Sequence, residues 1–207
     1  MKYVMRFIVC LAVMAAPVAS FAAEKQIDTK AIDRAEKYLQ DMKTAQARFV
    51  QTTHNGAQLV GTFYLKRPGK LRFEYDPPME DFIVADGVFI YFYDAVLEEQ
   101  TNAPIQSTLA NFFLRKNFEF GDDLMVKDAK YAAGLLQIKV VQADDQDAGS
   151  ITFAFGEKPF ELKKWRVVDG QGMITEVELF YLKTGMKHAH ELFVYADPNK
   201  GKPNYND

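Results

Sequence analysis

His188 and His190 are separated by one residue, a spacing that on a strand turns both imidazoles to one side, where they could ligate a metal. No third ligand stands at a diagnostic spacing, and the single cysteine, Cys10, is far away in the chain, so a solvated strand face is the better reading. Asp144-Asp145-Gln146-Asp147-Ala148-Gly149 has the acid density of a calcium loop. The twelfth positions counted from Asp144 and Asp145 are Phe155 and Gly156, so the closing glutamate is missing and the stretch reads as an acidic turn. Ser150 lacks the G-x-S-x-G elbow that would expose a strained nucleophile. Glu176 and Glu178 share a strand face, where two carboxylates are ordinarily just solvated, and no glycine-rich loop could cradle a phosphate. These residues argue against an enzyme and call for no cofactor and no metal.

Arg67 is the more informative polar residue. It closes an alternating run, Gly61-Thr-Phe-Tyr-Leu-Lys-Arg67, that is followed by Pro68-Gly69 and a second run, Lys70-Leu-Arg-Phe-Glu-Tyr-Asp76. Proline and glycine suit the two corners of a type II turn, which predicts an antiparallel hairpin. Alternation puts Phe63, Leu65 and Arg67 on one face, with Leu71, Phe73 and Tyr75 on the same side of the second strand. At the end of a strand, such a cation can snorkel to water or pair with a nearby acid. At the rim of an apolar face, its five donors can instead tie down backbone carbonyls of a covering helix.

Those residues need elements to hold them. A cap at Asp28 or Thr29 and the spacing of Ile32, Ala35, Leu39 and Met42 predict an amphipathic helix to about Lys43. Ala45, Ala47 and Phe49 alternate with polar residues as a strand, and Asn55-Gly56 predicts a hairpin into the strand Leu59–Arg67. Pro77-Pro78 ends the next strand, and Asp86-Gly87 separates strands at Phe82–Ala85 and Val88–Tyr93. From Pro104 to Leu114 the period becomes helical, with Ile105, Leu109, Phe112 and Phe113 on one stripe. Strand-like runs resume at Leu124–Tyr131, Leu135–Val141, Ser150–Phe155, Leu162–Val168 and Ile174–Leu182, with a further one at Glu191–Tyr195. The fold class is therefore mainly β, an antiparallel sheet of about eleven strands with a few short helices. A sheet that wide curls, leaving a hollow for the helices to cover, or it packs as a sandwich with its aromatics as ordinary core. Periodicity leaves both open.

The ends and totals narrow the setting. Lys2 and Arg6 precede an apolar run from Phe7 to about Val18 that is short for a bilayer span, and Ser20-Phe21-Ala22 supplies small residues for cleavage. The expectation is a signal peptide, 1–22, and a single domain, 23–207, that is soluble, periplasmic and monomeric. Cys10 would leave with the leader, and Lys2 and Arg6 would leave a chain already at net −3 more acidic still. That charge argues against nucleic acid, and the absence of a mature cysteine excludes disulfide and lipid-attachment chemistry. The tail from Pro198 to Asp207 is polar and expected to be loose.

The run GTFYLKRPGKLRFEYDPP at Gly61–Pro78, with IVADG at Ile83–Gly87, resembles the periplasmic outer-membrane lipoprotein carrier family, LolA. The likeness is strongest over Phe49–Asp94. It implies an unclosed antiparallel β-barrel covered by short helices that form a lid. It also implies a carrier of acylated lipoproteins, which takes them from an inner-membrane ABC-type lipoprotein-releasing complex and delivers them to an outer-membrane receptor. By that resemblance Phe49, Phe63, Leu65, Leu71, Phe73, Leu109, Phe112 and Phe113 line the lipid cavity, and Arg67 locks the lid. Two other functions fit the residues, a periplasmic module that binds or senses a lipid or glycolipid on the same scaffold, and a hydrolase without a visible motif.

Overall fold

The computed structural model describes residues 29–121 and 123–200, so the expected leader 1–22, its cleavage site and all of the tail beyond Lys200 lie outside the described residues. Helix α1, Thr29–Asp41, buries Ala31, Ala35 and Leu39, spaced four apart on one stripe. Asp33, Arg34 and Lys37 face water. Among the described residues no helix is long and apolar enough to cross a membrane.

The strands are β1 (Thr44–Thr52), β2 (Gln58–Lys66), β3 (Lys70–Tyr75), β4 (Phe82–Asp86), β5 (Phe89–Asp94) and β6 (Glu99–Pro104). After helix α2 (Ala110–Leu114) come β7 (Leu124–Ala132), β8 (Leu135–Gln142), β9 (Gly149–Glu157), β10 (Phe160–Asp169) and β11 (Ile174–Thr184). All belong to one 11-stranded sheet in the order β6-β5-β4-β3-β2-β1-β11-β10-β9-β8-β7. Each neighbouring pair is antiparallel, and β1 sits in the middle, joining the first half to the second through β11. The two edge strands, β6 and β7, are joined in sequence by the segment that carries α2. The sheet is thus an unclosed barrel, and the chain linking its free edges supplies part of its cover.

Alternation decides what lies inside. Phe49, Phe63, Leu65, Ile138, Phe153, Phe155 and Leu162 are at most 1% exposed, and they belong to one apolar cluster with the buried face of α1. Each phenylalanine so buried contributes about 1.5–3 kcal/mol over leaving it in water. Tyr38 of α1 meets Phe155 and Phe160 edge-on, both at 5.8 Å, seating the helix over β9 and β10. The opposite parity is polar. Arg48 donates to Thr62 Oγ1 at 2.9 Å and grips both oxygens of Asp76, which holds that carboxyl below its usual range.

Three local expectations are corrected. Glu99–Pro104, assigned to no element up to Pro104 and with Pro104 expected to open a helix, is a strand, because EQTNAP pairs with β5 at the sheet edge, where a strand needs no apolar face. Glu191–Phe193 is a 3-10 turn rather than the last strand, with Phe193 fully buried in a segment that lies against the outer face. The miss and the false strand cancel in the number of strands. The helix expected from Pro104 to Leu114 is broken into a 3-10 turn, Ile105–Ser107, and α2, with Thr108 extended between them. Ser107 and Thr108 donate their hydroxyls to the carbonyls of Pro104 and Ile105, both at 2.8 Å, competing with continuous helical bonding.

His188 and His190 also stand off any strand. His188 Nε2 lies 3.1 Å from the carbonyl of Ala45, and His190 Nδ1 lies 3.2 Å from Lys70 Nζ. Among the described residues no three His, Cys, Asp or Glu side chains gather as a metal site would need.

Candidate functional site

Between α2 and the concave side of the sheet is an apolar cavity of about 220 Å³. One wall is built by Phe63, Leu71, Phe73, Ile83 and Ile90, at inward positions of β2 to β5. The facing wall is Ile151, Phe153, Trp165 and Val167 from β9 and β10, and the roof is Leu109, Ala110 and Phe113. The aromatics form a continuous set, with Trp165 5.5 Å from both Phe63 and Phe113 and Phe63 5.0 Å from Phe73. Every lining side chain is hydrocarbon apart from the indole N–H. Such a surface offers a reacting group nothing and favours an alkyl chain.

The expected cavity residues divide. Phe63, Leu71, Phe73, Leu109 and Phe113 line the space. Phe49 lies fully buried behind it, its ring edge-on to Phe73 at 5.1 Å and to Tyr75 at 5.4 Å. Leu65 and Phe112 are buried in the surrounding structure without lining the cavity. The far wall, Ile151, Phe153, Trp165 and Val167, was not singled out in the sequence. Its only signal there is the inward parity of two strands whose boundaries were legible.

Arg67 is 7% exposed and spans the two covering helices. Its Nε donates to the carbonyl of Phe113 at 2.7 Å, and its Nη1 donates to the carbonyl of Leu39 near the end of α1. Its guanidinium also lies 4.9 Å from the Phe113 ring and 5.6 Å from that of Phe118. The neighbouring backbone repeats the connection, with Arg67 N–H donating to Lys43 and Gly69 N–H to Leu114, both at 2.8 Å. Gly69 has φ 76°, and the three residues Arg67-Pro68-Gly69 connect the paired Lys66 and Lys70. The arginine is thus part of the turn itself, and Leu65 next inward on its face points it under the helices.

Burial, reinforced by the charge of Arg115, pushes the Arg67 pKa down to about 10. It remains a cation at neutral pH, and its Nη2 has no hydrogen-bond partner among the described residues. The closed arrangement therefore combines two strong bonds with an unrecovered desolvation cost.

The family model described as outer membrane lipoprotein carrier protein LolA matches residues 40–196. An outer-membrane lipoprotein carrier protein of Methylococcus capsulatus is 26% identical over 190 residues, covering 88% of this chain and 91% of its own. Another from Dechloromonas aromatica is 28% identical over 182 residues, covering 81% and 84%. Among solved structures, a LolA superfamily protein of Nitrosomonas europaea superposes with a TM-score of 0.44 at 10% identity, over 82% of this chain and 98% of that one.

Proposed function

Since this chain belongs to the LolA family of outer membrane lipoprotein carrier proteins, we propose that it shelters the acyl chains of lipoproteins while they cross the periplasm. In this reading the leader 1–22 is removed and the remaining chain works there as a soluble monomer. An inner-membrane ABC-type complex supplies the cargo, and an outer-membrane receptor takes it. The observation that carries the proposal is the hydrocarbon-lined cavity roofed by a helix that one buried arginine holds in place.

The energetics explain why a carrier is needed and why it must open. Each methylene of a lipid chain is worth about 0.8 kcal/mol out of water, so acylated proteins do not cross an aqueous space unaided. Sites for drug-sized ligands are about 300–1,000 Å³. The cavity of about 220 Å³ is smaller than that, and several fatty chains would not enter it with the roof in place. Raising α2 removes Leu109, Ala110 and Phe113 from above the cavity, exposes the two walls, and breaks the bond from Arg67 to Phe113. Arg67 is the lid lock in this scheme. Phe63, Leu71 and Phe73 form the acyl surface, and Phe49 and Leu65 support it from behind.

Two measurements test the reading. Incubated with inner-membrane vesicles that hold a lipoprotein-releasing complex, ATP and labelled lipoprotein, the purified protein should carry label into the soluble fraction. Label that stays with the vesicles, or free lipid appearing in place of lipoprotein, would exclude lipoprotein carriage. The second measurement uses the single tryptophan, Trp165, which lines the cavity. Loading with a lipopeptide whose acyl chains are brominated should quench its fluorescence strongly, because bromine quenches an indole it touches. Unchanged emission from a loaded protein would place the chains elsewhere.

A further inference from the structure

The outer face of β7 to β11 carries a second concavity, about 330 Å³, that the acyl-binding reading does not use. It follows from a row of directly paired residues crossing five strands. Asp128 stands opposite Lys139, Lys139 opposite Thr152, Thr152 opposite Arg166, and Arg166 opposite Glu176. One step along, Lys130 faces Gln137, and Ala154 lies between Gln137 and Lys164. The central strand β9 therefore presents only Ser150, Thr152 and Ala154 outward, while long side chains rise on both sides. A trough with a short-residue floor and charged walls results.

Its charge is unlike that of the chain. In its lining Lys130, Lys139, Lys164 and Arg166 stand with two carboxylates, Asp128 and Glu176, and Glu178 lies opposite Lys164 beyond the lining, in a protein of net charge −3. Lys164 and Arg166 both pair with Glu176, at 3.0 and 2.9 Å, and Lys130 pairs with Asp128 at 2.8 Å. Burial would raise the Glu176 carboxyl, but its two cationic partners outweigh that and keep it below the usual range, hence ionised. Lys139 has no hydrogen-bond or ion-pair partner among the described residues. Ser150, 6% exposed, lines the floor beside Thr152, so the base of the trough carries two hydroxyls.

We propose that this trough binds a glycerophosphate-type group, a phosphate ester that also carries free hydroxyls. The phosphate would lie over Thr152, between Lys139 and Arg166, where two cations and two hydroxyl donors converge. A site for a bare anion would not include Asp128 and Glu176. Those carboxylates suit a ligand whose own hydroxyls need acceptors, and the volume fits a compact group rather than a long chain. Such a group exists as a soluble ester and as the headgroup of an anionic glycerophospholipid.

Titration calorimetry with glycerol 3-phosphate, and flotation with phosphatidylglycerol against phosphatidylcholine vesicles, would separate the two sources. Binding of the free ester assigns the soluble source. Flotation with phosphatidylglycerol vesicles alone assigns the headgroup. Either must weaken roughly tenfold or more in Lys139→Gln, the loss of one charged hydrogen bond. Lys139 is exposed and apart from the apolar cavity, so this variant should fold and load lipoprotein normally, and its result bears on the trough alone. Binding in neither assay, or binding that Lys139→Gln leaves intact, overturns the proposal.

Discussion

Arg67→Leu should load lipoprotein readily and then fail to give it up. The substitution removes the donors that hold the carbonyls of Phe113 and Leu39, so α2 and α1 lose the side-chain tie they share and keep only the backbone bonds of the turn. Bonds from a charged donor are worth about 1.5–3 kcal/mol each, and the recovered desolvation of the guanidinium offsets part of the two. A net weakening of the closed state on the order of 3 kcal/mol shifts the lid equilibrium about a hundredfold. Cargo competes with closure for the same walls, so its apparent affinity rises by the same factor and passage to an acceptor slows correspondingly. The check is a transfer assay from preloaded protein to receptor-bearing outer-membrane vesicles, with Arg67→Lys as a second variant. Lysine keeps the charge but has no planar fork to reach two carbonyls, so it should fall between wild type and leucine. Wild-type release by Arg67→Leu would remove Arg67 from the mechanism.

How much of this was legible beforehand depends on whether side chains carry the information. Period-two alternation sets the faces of Phe63, Leu65 and Arg67 together, and it marks β9 and β10 as strands with an inner side. It is silent where both sides of a strand are wet, so Glu99–Pro104 is assigned to no strand. A continuous apolar run without a partner strand misleads as well, as at Glu191–Tyr195. The break in the covering helix lies in hydroxyl-to-carbonyl bonds of Ser107 and Thr108, which compete with the helix only in that local geometry. The acceptors of Arg67 were invisible for a deeper reason. They are main-chain carbonyls, and any residue at positions 39 and 113 would supply the same oxygen. The far wall of the cavity required knowing that β9 and β10 curl round to face β2 and β3, which is a property of the sheet and not of either segment.

A large loss of stability from adding one carbon is expected at Gly61. Its backbone is ordinary strand, so conformational freedom is not what the position needs. A Cβ built there would stand 2.2 Å from the carbonyl oxygen of Glu74 and 2.7 Å from the Phe49 ring. A flexible side chain could yield, but the carbonyl belongs to β3, and Phe49 is locked against Phe73 and Tyr75. Gly61→Ala must therefore separate β2 from β3 or displace a buried aromatic, at a cost on the order of 3 kcal/mol. For a chain of this size that is a fall in Tm of about 10 °C, with a matching drop in the denaturant midpoint. The register gives the experiment its reach. Gly61, Phe63, Leu65 and Arg67 share one face because strand side chains repeat every second residue, and a slip of one residue would turn all four outward. Phe49 opposite Gly61, and Gly61 opposite Tyr75, belong to the same pairing that carries Arg67 beneath the helices. If Gly61→Ala melts like the wild type, that pairing is wrong, and the position of the arginine under the lid goes with it. If it is destabilised while Arg67→Leu melts near the wild type, architecture and release are separate properties of one hairpin, six residues apart.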